Sequence, residues 1–244
     1  MFDFIWNTIT GWGDSLWLMF ERSFITDDRW RMWLGGLENT LIITFFALII
    51  GLVFGFLLAL VRVLHDASPK PPIPLQIVNR ILIIYRSFIR GTPMLVQLFI
   101  FNFAILVSTR NALLVAIVAF GVNSSAYASE VFRGGILSVD KGQMEAGRSL
   151  GLNYRQTMFK IILPQAIKNS LPALGNEVIT VLKETSLAGQ VALIDVTRAA
   201  QLIRGLTFDP SPLFFVAGVY WLLVLFIEFL FGKFERRMRR SDSR

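Results

Sequence analysis

The 244-residue sequence contains no cysteine and a single histidine, His65. The first absence excludes disulfides, thiol catalysis and cysteine-ligated zinc or iron–sulfur sites. The second leaves almost nothing for a histidine-based metal site or triad, so no catalytic and no metal-binding residues are assigned. Charge is also scarce: Asp, Glu, Lys and Arg make up 17% of the chain against 54% hydrophobic residues, and the mean hydropathy is +0.58. A soluble domain of this size needs far more polar surface to cover its core, so lipid is the solvent that fits. No Gly-x-x-x-x-Gly-Lys-Ser/Thr stretch occurs, which excludes a phosphate-binding loop of the P-loop type. No internal repeat is evident.

What is there is a series of long apolar runs. A span needs about 20 apolar residues to cross roughly 30 Å of hydrocarbon. Residues 41–60 carry no charge, and their Gly51-x-x-x-Gly55 pair allows close helix packing. Residues 91–109 and 111–129 are also charge-free and separated only by Arg110, which predicts a hairpin there, the earlier span extending back through 81–85. Residues 210–227 form another charge-free run that ends in a basic tail. The segment 164–194 is apolar enough to span but holds Lys168, Glu177, Lys183 and Glu184. Such a helix belongs among other helices or beside an aqueous cavity.

The expected fold is therefore an all-α membrane protein with five transmembrane helices. The formal charge of +7 and pI near 10.1 reflect orientation and anionic membrane lipid rather than nucleic acid. With the first span entering the cytoplasm at Arg62, 17 of the 24 Lys and Arg fall inside. The N-terminus is then outside and the C-terminus inside, with a large cytoplasmic loop at about 133–164 and a Pro-rich first turn at 69–74. Residues 1–35 form an N-terminal extracytoplasmic segment without the features of a secretory signal. Trp6, Trp12 and Trp17 suit either an interfacial helix or a loop with scattered aromatics. Residues 36–240 form the membrane domain, and 241–244 a cytoplasmic tail.

The cytoplasmic loop at 138–164 is more organised than a connector. Asp140 and Gln143 are spaced as a capping box, as are Asn153 and Gln156. Gly151 is placed to stop the first helix in a left-handed conformation. Met144, Gly147, Gly151, Tyr154 and Met158 recur at helical spacing, and Pro164 is expected to separate the loop from the next span. Two short helices suit a docking surface for a soluble partner; an amphipathic loop lying on lipid is the alternative.

Glu145-Ala146-Gly147-Arg148-Ser149-Leu150-Gly151, followed after nine residues by Ile161-Ile162-Leu163-Pro164, resembles the loop motif of ABC importer permeases. That motif reads Glu-Ala-Ala, three residues, Gly, nine residues, Ile-x-Leu-Pro, and Gly147 replaces its second alanine. Arg90-Gly91-Thr92-Pro93, Ala126-Tyr127-Ala128-Ser129-Glu130-Val131-Phe132-Arg133-Gly134-Gly135-Ile136 and Lys183-Glu184-Thr185-Ser186-Leu187 narrow the resemblance to polar amino-acid permeases of the histidine/glutamine type, with Ser129 where alanine is usual. The resemblance implies a multi-pass subunit of the bacterial cytoplasmic (inner) membrane. It implies a second permease subunit, here preferred to be an identical copy, two ABC ATPase subunits beneath, and an extracytoplasmic solute-binding protein. ATP and Mg would be bound by the ATPase, leaving no cofactor in this chain. Glu145, Ala146, Gly147, Leu150, Gly151, Ile161, Leu163 and Pro164 would couple to it.

The polar residues available to a substrate path are Gln97, Asn123 and Ser124, then Asn176, Glu177, Thr180 and Glu184. Asn102 is a further polar residue of the second span. Together they offer acceptors for an ammonium and donors for a carboxylate, as a zwitterionic amino acid requires. Structural bonding is the alternative for Glu177, Lys183 and Glu184. Glu130 and Arg133, three apart, are expected to pair with each other. Arg86 and Arg90 share a face and are expected at lipid phosphate or an interface, with His65 interfacial beside Arg62 and Asp66. A channel or ion-coupled carrier shares the spans but needs no docking loop, and a membrane-embedded enzyme lacks a nucleophile–base set.

Overall fold

A computed structural model describes residues 17–239; the tryptophans at 6 and 12 and the tail at 241–244 lie outside them. Among the described residues every regular element is helical. After short turns at Glu21–Ile25 and Thr26–Asp28 come α1 (Trp30–Asp66), α2 (Ile73–Gly91), α3 (Met94–Ile100, continued by a π turn at Phe101–Ile105) and α4 (Ala112–Leu137). Two short helices follow, α5 (Lys141–Ser149) and α6 (Tyr154–Thr157). A π turn at Met158–Ile162 then leads into α7 (Leu163–Glu184), and a 3₁₀ segment at Thr185–Val191 leads to α8 (Val196–Thr207) and α9 (Ser211–Arg239). With 37 residues, α1 is about 55 Å long, more than the roughly 30 Å of a bilayer's hydrocarbon.

Among the described residues three helices, α1, α4 and α9, are long and apolar enough to cross a membrane alone, and α2 with α3 makes a fourth if that bent pair is one span. Helix α7 is not in this group: contrary to the expectation that 164–194 is apolar enough to span, Gln165, Asn169, Asn176 and its prolines, together with Lys168 and Glu177, make it too polar by composition. The pair is not the continuous span that the run at 81–109 predicts, because the chain turns by 112° between the two helices. The cause is Pro93, which has no N–H to continue the ladder and pushes Thr92 into an extended conformation (φ −119°, ψ 146°). The predicted reversal near Arg110 lies between Leu106 and Asn111, where the Asn111 side chain caps α4 by accepting from Leu114 N at 3.1 Å.

Helix α4 is the axis of the molecule. Its N-terminal half shares one buried cluster with α1, α3 and α7, built on Ile43, Ala47, Leu98, Ala119, Phe120 and Val181. A Cβ on Gly55 would stand 2.6 Å from Ala128 Cβ, and one on Gly121 would stand 2.8 Å from Ile50 Cβ. The Gly-x-x-x-Gly pair thus brings α1 against α4 at backbone distance, as membrane helices require when apolar burial gives no advantage over lipid. Nearer the C-terminal end of α4, Gly135 does the same for α4 and α7, where a Cβ would meet Ser170 Oγ and lie 2.6 Å from Ala166 O. Near the start of α1, Trp33, Val196, Ala200, Ile203 and Val216 tie α1 to α8 and α9. There Asp195, wholly buried, caps α8 by accepting from Thr197 N at 2.9 Å and Arg198 N at 3.1 Å.

Adjacent glycines test this packing. Gly134 has open space at its Cβ position whereas Gly135 has none. Gly134→Ala should stabilise the protein by up to about 1 kcal/mol through helix propensity. Gly135→Ala should destabilise it by about 1–3 kcal/mol through overpacking. Thermal unfolding of the two variants in the same detergent should show midpoint shifts of opposite sign.

Candidate functional site

The loop at 138–164 folds as two capped turns pressed against the long helices. Helix α5 starts at Asp140, whose carboxylate accepts from Gly142 N at 2.7 Å. The capping box expected with Gln143 does not form, because the Gln143 Oε1 faces Gln165 Nε2 at 3.4 Å instead. Helix α5 ends in a Schellman turn: Gly151 has φ +85°, its N–H bonds Arg148 O at 3.0 Å, and Leu152 N bonds Gly147 O at 3.2 Å. The second box is complete, with Gln156 N to Asn153 Oδ1 at 2.8 Å and Asn153 N to Gln156 Oε1 at 2.9 Å.

Pro164 does not separate the loop from the next span. Helix α6 runs through the π turn at Met158–Ile162 directly into α7, with Pro164 in its first turn. The wider turn shifts the hydrogen-bond register just where a proline would otherwise leave a gap. Met158 and Ile162 pack on Val63 of α1 and on Ile136 and Val139 at the end of α4, with Met144, Tyr154 and Ile161 beside them. Burial pushes the Tyr154 phenol above its ordinary value, so it stays neutral. Gly147 lies so close to α6 that a Cβ would be 2.5 Å from Thr157 Cγ2. Of the eight loop residues singled out, Gly147, Ile161 and Leu163 therefore face inward at least in part. Glu145, Ala146, Leu150, Gly151 and Pro164 face outward. Leu150 is 82% exposed, and Phe159, which the motif does not mark, is also exposed.

The seven polar residues of the spans divide into two sets. Gln97 is buried at the α2–α3 bend, and its Nε2 donates to Ile89 O at 2.7 Å and to Thr92 O at 3.1 Å. The helical partner of the Ile89 carbonyl would be the N–H that Pro93 lacks, so Gln97 supplies the missing donor. Gln97 Oε1 in turn accepts from Asn123 Nδ2 at 2.9 Å. Ser124 donates to Glu177 Oε1 at 2.7 Å across the α4–α7 contact, and both are buried. Asn176, Thr180 and Lys183 are exposed along an adjoining face of α7, while Glu184 is half-buried. Asn102, also noted in the second span, falls in the π turn at Phe101–Ile105.

Glu130 and Arg133 do not pair with each other. Glu130 Oε1 receives Arg62 at 2.5 Å and Arg86 at 2.8 Å, while Arg133 reaches Asp66 at 2.9 Å. Side chains three apart on α4 diverge enough for each to find a partner on α1 or α2, a choice that spacing along one helix cannot reveal. His65 lies 3.2 Å from the same Asp66.

Residues 74–240 match the family described as binding-protein-dependent transport system inner membrane component. The chain is 36% identical over 228 residues to an L-cystine transport system permease protein of Bacillus subtilis, covering 92% of each. It is 37% identical over 213 residues to an arginine transport system permease protein of the same organism, covering 86% of this chain and 93% of that one. The crystal structure of an amino acid ABC transporter with histidines superposes with a TM-score of 0.74 at 39% identity, covering 85% of this chain and 94% of that chain.

The bend makes its own prediction. Gln97→Leu strands the Ile89 and Thr92 carbonyls and the Asn123 amide, and should cost about 1–3 kcal/mol of stability. Adding Asn123→Leu should cost less than the sum of the two single changes, as a double-mutant cycle in denaturant would measure.

Proposed function

This chain belongs to the binding-protein-dependent transport system inner membrane components, and on that premise we propose that it is the permease subunit of an ATP-driven importer for polar amino acids. It provides the translocation path, and ATP hydrolysis resides on separate ATPase subunits that bind Mg and ATP. An extracytoplasmic binding protein delivers the amino acid. The names of the cystine and arginine permeases support amino acids as the cargo.

The observation that carries this reading is the form of the loop. A soluble ATPase can move membrane helices only through a contact that does not bend. Here α5 and α6 are capped at both starts, closed by a glycine turn and packed on the ends of α1 and α4. The exposed Leu150 and Phe159 give that knob an apolar tip suited to a groove on a protein partner.

In this reading α1, the α2–α3 pair, α4, α7 and α9 are the five spans, with the N-terminus outside and the C-terminus inside the bacterial inner membrane. The exposed Asn176, Thr180 and Lys183 on α7 then face a second copy of the chain and a watery path between the copies, since lipid would leave them unsolvated. Gln97, Asn123, Ser124 and Glu177 shape that path from behind, while Asn176, Thr180 and the edge of Glu184 lie where a ligand could touch them.

The test is ATP hydrolysis by this chain purified with the ATPase encoded beside it, with the matching binding protein and each polar amino acid in turn. One amino acid should stimulate hydrolysis. Leu150→Asp should leave insertion and thermal stability unchanged, because the side chain is 82% exposed, but abolish the stimulation. Undiminished stimulation in that variant would contradict the coupling role of the loop.

A further inference from the structure

The charge pairs where α1, α2 and α4 meet around Glu130 do not balance. Arg62 and Arg86 both bond the same oxygen of Glu130, at 2.5 and 2.8 Å. A third arginine, Arg90, is held with its guanidinium 5.3 Å from the centre of the Tyr127 ring. The next carboxylate, Asp66, is already engaged by Arg133 and His65. Two guanidiniums thus share one carboxylate oxygen, although the Arg62 side chain is only 12% exposed and that of Arg86 27%, and the exposed Arg90 adds a third positive charge beside them. Arg62 Nε is buried without a hydrogen-bond partner. Uncompensated positive charge in so dry a setting is costly unless an anion completes it.

Beside this cluster lies an open cleft of about 400 Å³ between α2 and α4, lined by Arg86, Ser87, Arg90, Gly91 and Tyr127, with no acidic residue among them. We propose that this cleft binds a phosphate group, borne by an anionic lipid of the inner leaflet or free in solution. The two guanidinium forks, one turn apart on α2, offer the paired N–H donors that phosphate oxygens accept, and the Ser87 hydroxyl adds a neutral donor. The rest of α2 favours the lipid as the source. Ile73, Ile77, Ile81, Ile84 and Phe88 recur at helical spacing and are all exposed, a strip that suits acyl chains alongside a headgroup. Arg62, one turn before the end of α1, would stand near the cytoplasmic phosphates in the topology proposed above. The inner-leaflet assignment rests on that topology, whereas the phosphate site itself does not.

The experiment titrates the detergent-solubilised full chain with phosphatidylglycerol, and separately with inorganic phosphate, reading bound copies by native mass spectrometry and the thermal midpoint in parallel. Wild type should bind phosphatidylglycerol saturably, and Arg90→Ala should weaken that binding about tenfold. Arg90→Lys should recover part of the loss. Arg110→Ala, removing an arginine from the α3–α4 turn, should leave binding unchanged and so control for net charge. Saturable binding of inorganic phosphate with the same dependence on Arg90 would support the site with free phosphate as its ligand. Equal binding by wild type and a folded Arg90→Ala variant, or no saturable binding of either species, would overturn the proposal. None of these readouts uses the ATPase, so they stand or fall separately from the transport reading.

Discussion

Three helices meet at the Ser124 hydroxyl, and the rest of the molecule is arranged around that meeting. Its hydrogen bond to Glu177, 2.7 Å long, satisfies a carboxylate that lipid-facing packing could not tolerate. The bond needs α4 and α7 in close contact. It also needs room on the α1 side, where a Cβ on Gly51 would come within 2.7 Å of Ser124 Cβ. Apolar residues gain nothing by leaving lipid for a helix interface, so the approach of α1, α4 and α7 rests on small residues and on polar bonds of this kind.

From that point rigidity extends toward the C-terminal end of α4 and the loop. Gly135 lets α4 touch the α7 backbone near Ser170, Glu130 and Asp66 draw α1, α2 and α4 together through arginines, and the loop packs on Val63, Ile136 and Val139. From Phe159 to the Ser124 crossing the backbone is one helical run, because α6 passes through the π turn into α7, and Leu150 joins that run through the hydrogen-bonded Gly151 turn. A displacement applied at the tip would therefore reach the exposed face of α7. This is the physical content of the proposed coupling.

Much of this was legible in the sequence because it follows from local rules. Charge-free runs located α1, α4 and α9. The Gly51–Gly55 spacing marked the close crossing, and Gly151 and the Asn153–Gln156 pair marked the turns of the loop. The family pattern around Glu145 marked the loop itself. What was hidden depends on pairs distant in the chain. The 112° bend could be suspected from Pro93, but not that Gln97 would replace the missing donor. Glu130 and Arg133 looked like partners because spacing within one helix is visible and the positions of α1 and α2 are not. Likewise the polar stripe on α7 reads as one set along the helix, yet packing sends Glu177 to α4 and leaves Asn176 and Thr180 outside.

The absence of cysteine makes the decisive measurement direct, since single cysteines can be introduced for spin labels without background. One label pair within a chain, at Arg155 on the loop and Leu114 at the start of α4, reports whether the loop bends. A second pair, at Asn176 in the two copies of the proposed dimer, reports the width of the proposed path. Pulsed electron paramagnetic resonance of the assembled transporter with and without bound ATP should show the first distance unchanged and the second altered. A first distance that changes while the Asn176 separation stays fixed would contradict the account of a rigid loop driving the membrane helices.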